Sequence, residues 1–566
     1  MIVINRPDLP TQVSSSFVHL ESYARASNLI VSKPDGDGLC VGRCYEMSPL
    51  SGGGAEFAGL IQNIYKSAPD DSVLQMSLLN LPDYDVPYNL VRGKGHGNKL
   101  LQELIQRQAL LYERAQRIGV LTDMPIINRK TLIVSFMTPV HLINDETLER
   151  ALAAQNEFLA GLKACGFVDV EARTPSQLLA IYRQYPNIYD RRKEKPLDDL
   201  MELRHQAYGP DEIFDFAKDD YALFNKRLYC AAVVPKSLPS RISHGLTNLL
   251  IGAPLNRGQT KDGGGVRIKT PFILNATVRV ANQRKELDRI EKALKSRNRA
   301  DNNLPFSLGA ENGAEIASDL DYLLQTCKDG TNKLTFTSVT AFVFSYDKDE
   351  LAQARSDAKT TMNNLDFDAR DVTDTIGVRF VQTLPLNYST KIAEKLDSEV
   401  LVPASVAAKL MPIFGDYRGN ASGSTDRMGS VYLTRRGSAF YLDPFLSNKN
   451  KNGIIAAAGG AGKSFKVQYM ITNELASGTR VALFDNGKSS KKFCEGADGD
   501  FIEFTLDTPT PPSLNPFTGL SEEDFLEQHP DITALILKAA YFNEPEEKGA
   551  RIAVSEAVKA AYGQAR

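Results

Sequence analysis

The residues best suited to chemistry lie together at 457–465, where the chain reads Ala-Ala-Gly-Gly-Ala-Gly-Lys-Ser-Phe. Glycines in such a turn let backbone N–H groups face inward around phosphate oxygens. A helix opening behind them adds the partial positive charge of its N-terminus. In this pattern a lysine reaches the β- and γ-phosphates, and a serine hydroxyl sits on Mg2+. The nucleotide-binding candidates are therefore Ala458, Gly459, Gly460, Ala461, Gly462, Lys463, Ser464 and Phe465, with ATP as ligand and Ser464 as the Mg2+ contact. Counting back from Gly462 puts the first glycine of the pattern at 457, where Ala457 stands. An alanine takes φ > 0 only at a cost, so the start of the loop is more restricted than usual. No catalytic residue is assigned.

Such a loop needs elements to hold it. The apolar run Ile454–Ala458 reads as a strand leading in. After the loop, Val467, Met470, Ile471 and Leu475 recur at helical spacing, and Gly478 ends that helix. Arg480–Phe484 reads as a second strand, closed by Asp485. An acid at that position is a candidate near the metal. Its plainer role is a strand-end turn residue, with Asn486-Gly487 making the turn. The strand–loop–helix context is what separates a phosphate site from a chance glycine-rich turn.

Composition sets outer bounds. With 566 residues several domains are expected, and 24% charged with 42% hydrophobic residues is ordinary globular material. A net charge of −3 gives no general argument for nucleic-acid binding, and none is expected. No apolar run approaches the ~18–20 residues that span a bilayer. The start carries no basic region followed by an apolar core, so no signal peptide is read there. Six cysteines are scattered, as reduced cytoplasmic thiols are. Cys40 and Cys44 have no second metal-ligand pair beside them.

Upstream, the chain reads as α/β material. Helices are expected over Phe57–Tyr65, Leu100–Arg117, Leu287–Lys295 and Asp347–Met362. Strands are expected over Val73–Leu79, Lys130–Phe136, Phe167–Ala172, Lys333–Ser345 with one face buried, and Gly377–Thr383. Asn144 or Asp145 caps a helix that Gly166 ends, and Thr174-Pro175-Ser176-Gln177 has capping-box spacing. Residues 225–280 read as short strands around loops, with Gly263-Gly264-Gly265 a plain turn. The cluster Arg92, Lys94, His96, Lys99 in a glycine-rich stretch fits a solvated loop better than a phosphate or membrane-surface patch. Thr434–Tyr441 has a hairpin turn. The expected division is an N-terminal α/β domain over 1–200, a middle α+β domain over 201–417, a linker at 418–430 and a P-loop ATPase domain over 431–566. The fold class is thus α/β and α+β multidomain, ending in the front part of a P-loop NTPase domain of RecA-like motor type.

The order of motifs is specific. A hairpin is followed by Asp443-Pro444-Phe445, the phosphate loop, Leu483-Phe484-Asp485, Lys491-Lys492 before Phe493-Cys494, and then Leu514-Asn515-Pro516-Phe517. Upstream stand Leu384-Pro385 and Leu410-Met411-Pro412. The chain resembles the TraC-type ATPases of conjugative type IV secretion systems, from about residue 330 onward and more loosely over 55–235. The resemblance implies a cytoplasmic ATPase, peripheral on the inner membrane, hexameric, and working with other secretion subunits to energise pilus assembly or substrate transfer. It also implies an Asp-Glu pair on a later strand for metal and water activation. No apolar run ending in Asp-Glu follows Ser464, so the expectation is a chain representing the front of the motor domain, weak or inactive by itself. Two other readings stand beside this one. A DNA-translocating motor of the FtsK or HerA kind shares the nucleotide core but should line its pore with Lys and Arg. A structural assembly subunit would carry a vestigial nucleotide site, which Ala457 and the missing acidic pair favour.

Overall fold

The computed structural model describes residues 14–36, 38–52, 55–120, 126–167, 169–190, 192–209, 211–239, 241–242, 246–250, 268–301, 310–419, 429–434, 436–446, 450–486, 489–504, 515–542 and 544–564. The chain divides into two compact units, Met1–Leu483 and Phe484–Arg566.

The first unit is built on one sheet. Its strands are β1 (Leu20–Ala24), β2 (Leu29–Ser32), β3 (Leu39–Met47), β4 (Val73–Pro82), β5 (Asn128–Val140), β6 (Glu171–Ala172), β7 (Phe214–Asp215), β8 (Ala222–Phe224), β9 (Leu228–Ser237), β10 (Phe272–Val280), β11 (Leu334–Ser345), β12 (Asp368–Asp371) and β13 (Val400–Pro403). They run in the order β1-β2-β3-β5-β4-β10-β11-β9-β8-β7, with β12 on β9, β13 on β11 and β6 on β3. The described pairings are antiparallel. β4 pairs with both β5 and β10, so the expected division near residue 200 does not interrupt this sheet.

Two apolar layers follow from the two-residue period of a strand. Leu74, Met76 and Leu78 of β4 join Leu132, Val134 and Phe136 of β5 and Leu274, Ala276 and Val278 of β10 on one face. Val73, Leu79 and Leu81 join Ile133, Met137, Ile273, Phe342 and Phe344 on the other. The first face is covered by helices Ala55–Ser67, Asp145–Ala164 and Lys348–Asn363, through Ile61, Phe158, Leu162, Leu351 and Met362. The second is covered by Pro175–Gln184 and Ile376–Thr383, through Leu178, Tyr182, Ile376 and Phe380. Each fully buried large side chain adds about 1.5–3 kcal/mol of apolar transfer. On the second face Gln75 Nε2 donates to the Gln382 carbonyl at 2.7 Å, and Ser135 Oγ donates to Gln75 Oε1 at 3.0 Å.

The expected helices form, as Ala55–Ser67, Lys99–Ile118, Gln283–Asp301 and Lys348–Asn363. Asn144 caps its helix through Thr147 N, and the Thr174 capping box closes with Gln177. Several expectations need correction. Gly377–Thr383 is not a strand but lies in the helix Ile376–Thr383. Phe167–Ala172 shrinks to Glu171–Ala172, because Asp169 sits at φ +56° and breaks the extended run. β11 is buried on both faces rather than one, and β9 and β10 are long rather than short. Gly263-Gly264-Gly265, most of the linker at 420–428, Gly487 and Leu514 lie outside the described residues.

β14 (Ser430–Leu433) and β15 (Ala439–Leu442) make the expected hairpin, turning at Gly437 with φ +84°. The second unit holds helices Lys491–Gly496, Glu522–Ala540 and Ala550–Gln564. Phe525, Ile532, Val558 and Tyr562 form its apolar cluster, with the Phe525 and Tyr562 rings stacked at 3.9 Å. No helix among the described residues is long and apolar enough to cross a membrane.

Candidate nucleotide site

The phosphate-loop candidates open the helix Lys463–Ala476. Gly462 is its N-cap in the left-handed region, φ +88°, and Gly460 precedes it at φ +74°. Side chains other than glycine resist that backbone. Ala461 N donates to the Ala458 carbonyl at 3.2 Å, closing the turn. A glycine cap offers no side-chain oxygen, and no side-chain cap bond is made here. The first-turn N–H groups, which have no partner inside a helix, therefore face outward. A Cβ built on Gly459, Gly460 or Gly462 meets nothing within 4 Å. Residues 458–465 are all exposed. The structure thus brings Ala458 to Phe465 into one open turn, with Lys463 and Ser464 in the first helical turn. That donor set fits a phosphate group, and the adjacent serine hydroxyl suits a hard divalent cation.

The expected strands on either side do not form. Ile454–Ala458 and Arg480–Phe484 pair with no described strand. A strand is defined by its ladder, and apolar sequence without a neighbour to pair with is no strand. Ile454 is 95% exposed accordingly. Asp485, in the second unit, accepts from Ser490 N at 2.8 Å and from Ser489 Oγ at 3.0 Å, which is turn chemistry.

The loop helix is held from its far end, by residues distant in sequence. Its buried positions are Asn473, Glu474 and Ala476, whereas Val467, Met470, Ile471 and Leu475 are only half-buried. Lys94 is buried, 2% exposed. Its Nζ donates to the Asn473 carbonyl at 3.0 Å and to Ser477 Oγ at 3.1 Å. His96 N donates to the Ala476 carbonyl at 3.0 Å. Gly478 ends the helix at φ +83°, close under the His96 ring. A cation and an N–H at the last carbonyls satisfy the groups a helix leaves open there and oppose its negative end. The stretch is a loop as expected, exposed at Gly95, His96, Gly97 and Lys99, but it also caps the helix through the buried Lys94 and the His96 N–H. Halfway along, Gln108 Nε2 donates to the Tyr469 hydroxyl, which donates to the Val431 carbonyl of β14. Burial pushes the Tyr469 phenol well up, keeping it a neutral hydrogen-bonding group.

A glycine-capped lysine–serine turn opening a helix is the local arrangement of a P-loop, here without paired strands on either side among the described residues. Comparison with known proteins agrees. A family model described as TraG P-loop domain matches residues 444–566, and one described as TraC protein matches residues 36–388. The latter takes in more than half of the chain, and the chain belongs to the TraC protein family. Protein TraC of Escherichia coli (strain K12) is 29% identical over 121 residues, which is 21% of this chain and 12% of that protein's length.

Proposed function

We propose that this chain binds Mg2+–ATP at Ala458–Phe465 and belongs to an ATPase that energises pilus assembly or substrate transfer in a conjugative type IV secretion apparatus. The observation that carries this reading is the glycine-capped first turn of Lys463–Ala476, open to solvent with Lys463 and Ser464 on it. In this reading the N–H groups from Gly459 to Phe465 hold the phosphates, Lys463 neutralises their charge and the Ser464 hydroxyl meets Mg2+. The bound nucleotide supplies the phosphoryl group for transfer to water when an acid and an arginine from the complete assembly are in place. Hexamer formation, other secretion subunits as partners and a peripheral place on the inner membrane belong to the same proposal, and rest on family membership.

Calorimetry with Mg2+–ATP on the wild type and Lys463→Ala tests it. Saturable binding to the wild type, weakened about tenfold to a hundredfold in the variant, is expected, since a hydrogen bond to a charged group is worth about 1.5–3 kcal/mol. Equal behaviour of the two proteins would remove the nucleotide reading and leave a structural subunit.

A further inference from the structure

The helix that presents Lys463 and Ser464 is exposed at its first turn and clamped at its last. The clamp comes from residues 94–96, immediately before the Lys99–Ile118 helix, and from Gln108 within that helix. A helix moves as a rod, so its far end sets where its N-terminal N–H groups point. Lys94 is the centre of the clamp. Its ammonium bridges a main-chain carbonyl of the last turn and the Ser477 hydroxyl beyond it. Ser477 Oγ in turn donates to the same Asn473 carbonyl at 2.9 Å. Such an ammonium is expensive to bury without acceptors. The ammonium is thus steadied by the helix end, and the helix end by the ammonium. This is a two-sided joint between the body of the first unit and the phosphate loop.

We propose that Lys94 is a positioning residue for the nucleotide site: it fixes the C-terminal end of Lys463–Ala476 so that the loop amides are pre-set for phosphate, and nucleotide binding reciprocally tightens the joint. The proposal rests on the nucleotide reading above. Coupling between two sites is reciprocal in free energy, so each end must report on the other.

The test uses the full chain and Mg2+–ATP, with calorimetry and hydrogen exchange at the amides of 473–478. The wild type, Lys94→Met, Lys94→Arg and Lys463→Ala are compared. Lys94→Met is expected to weaken binding about tenfold, within the usual range of coupling. Lys94→Arg, which keeps donors at that place, restores most of it. Nucleotide should raise protection at 473–478 in the wild type and fail to do so in Lys94→Met. A merely structural role would not tie that protection to nucleotide. If Lys94→Met binds like the wild type while Lys463→Ala does not bind, the positioning role is wrong and the phosphate loop stands. If the wild type binds no better than Lys463→Ala, both readings fall. Should Lys94→Met not fold, Ser477→Ala removes the Ser477 hydroxyl that the Lys94 ammonium meets, from a half-buried position. A smaller loss of affinity there supports the joint, and unchanged affinity overturns it.

Discussion

Lys130 shows what a buried charge does for this protein. Its side chain is 3% exposed. Its ammonium donates to Asn128 Oδ1 at 2.9 Å, Asp416 Oδ2 at 2.8 Å and Ser438 Oγ at 2.7 Å, three acceptors for three protons. The trio ties β5 to the segment before the hairpin and to the hairpin turn itself. Burial works against the Asp416 carboxylate, but the Lys130 charge, hydrogen bonds from Lys130 and Ser438, and Arg436 outweigh it and hold its pKa below the ordinary 3.8. A folded-state pKa that is lowered adds stability above the unfolded value, lost as pH falls through the folded one. Asp416→Ala should therefore cost about 3–5 kcal/mol by urea denaturation, because it strands a buried ammonium. Asp416→Asn should flatten the fall in stability as pH drops below the ordinary carboxylate range. An acid limb as steep as that of the wild type would mean that this carboxylate does not carry it. At this scale legibility followed sequence distance. Lys463 and Ser464 declare themselves because their motif is contiguous, whereas Lys94 lies 379 residues from the carbonyl it meets. Nothing near Lys94 in the chain signals that partner.

Elements were legible where local preference and packing agree. The capped helices and the long apolar strands are of that kind. They were misread where packing overrides preference. Ile376–Thr383 is rich in β-branched and aromatic residues, which suit a strand. Yet Ile376 and Phe380 are spaced one helical turn apart, and both enter the apolar layer beneath the sheet. The helix is pressed so close that a Cβ on Gly377 would meet the Phe216 ring at 2.3 Å. In an exposed helix, Gly→Ala gains up to about 1 kcal/mol. Here Gly377→Ala should instead destabilise by about 1–3 kcal/mol, the usual penalty of overpacking. Thermal unfolding decides it, and a stabilised variant would show that Phe216 yields freely. The opposite failure occurs around the phosphate loop. Ile454–Ala458 and Arg480–Phe484 have strand composition, but composition cannot supply a neighbouring strand.

At the scale of the molecule, the first unit behaves as its sheet dictates. The charged, proline-containing stretch at 191–199, Arg-Arg-Lys-Glu-Lys-Pro-Leu-Asp-Asp, points to a division near residue 200. Register is a non-local property, and it joins the two sides. Phe272–Arg279 of β10 runs opposite Asn80–Val73 of β4 residue for residue. Asn275 Nδ2 donates to Ser77 Oγ at 2.9 Å, and Lys333 Nζ donates to the Ala68 carbonyl at 2.7 Å. Both apolar layers draw on strands from either side of residue 200. Separating the halves would expose the ladder edge of β4 and β10 and both their buried faces at once, so partial opening there has no low-energy form. Native-state hydrogen exchange should then show the amides of β4, β5, β10 and β11 opening together, with one free energy and one denaturant dependence equal to those of global unfolding. Two distinct values, one for β4 and β5 and another for β10 and β11, would mean that the sheet parts between β4 and β10 and that the halves are separate folding units despite their shared ladder.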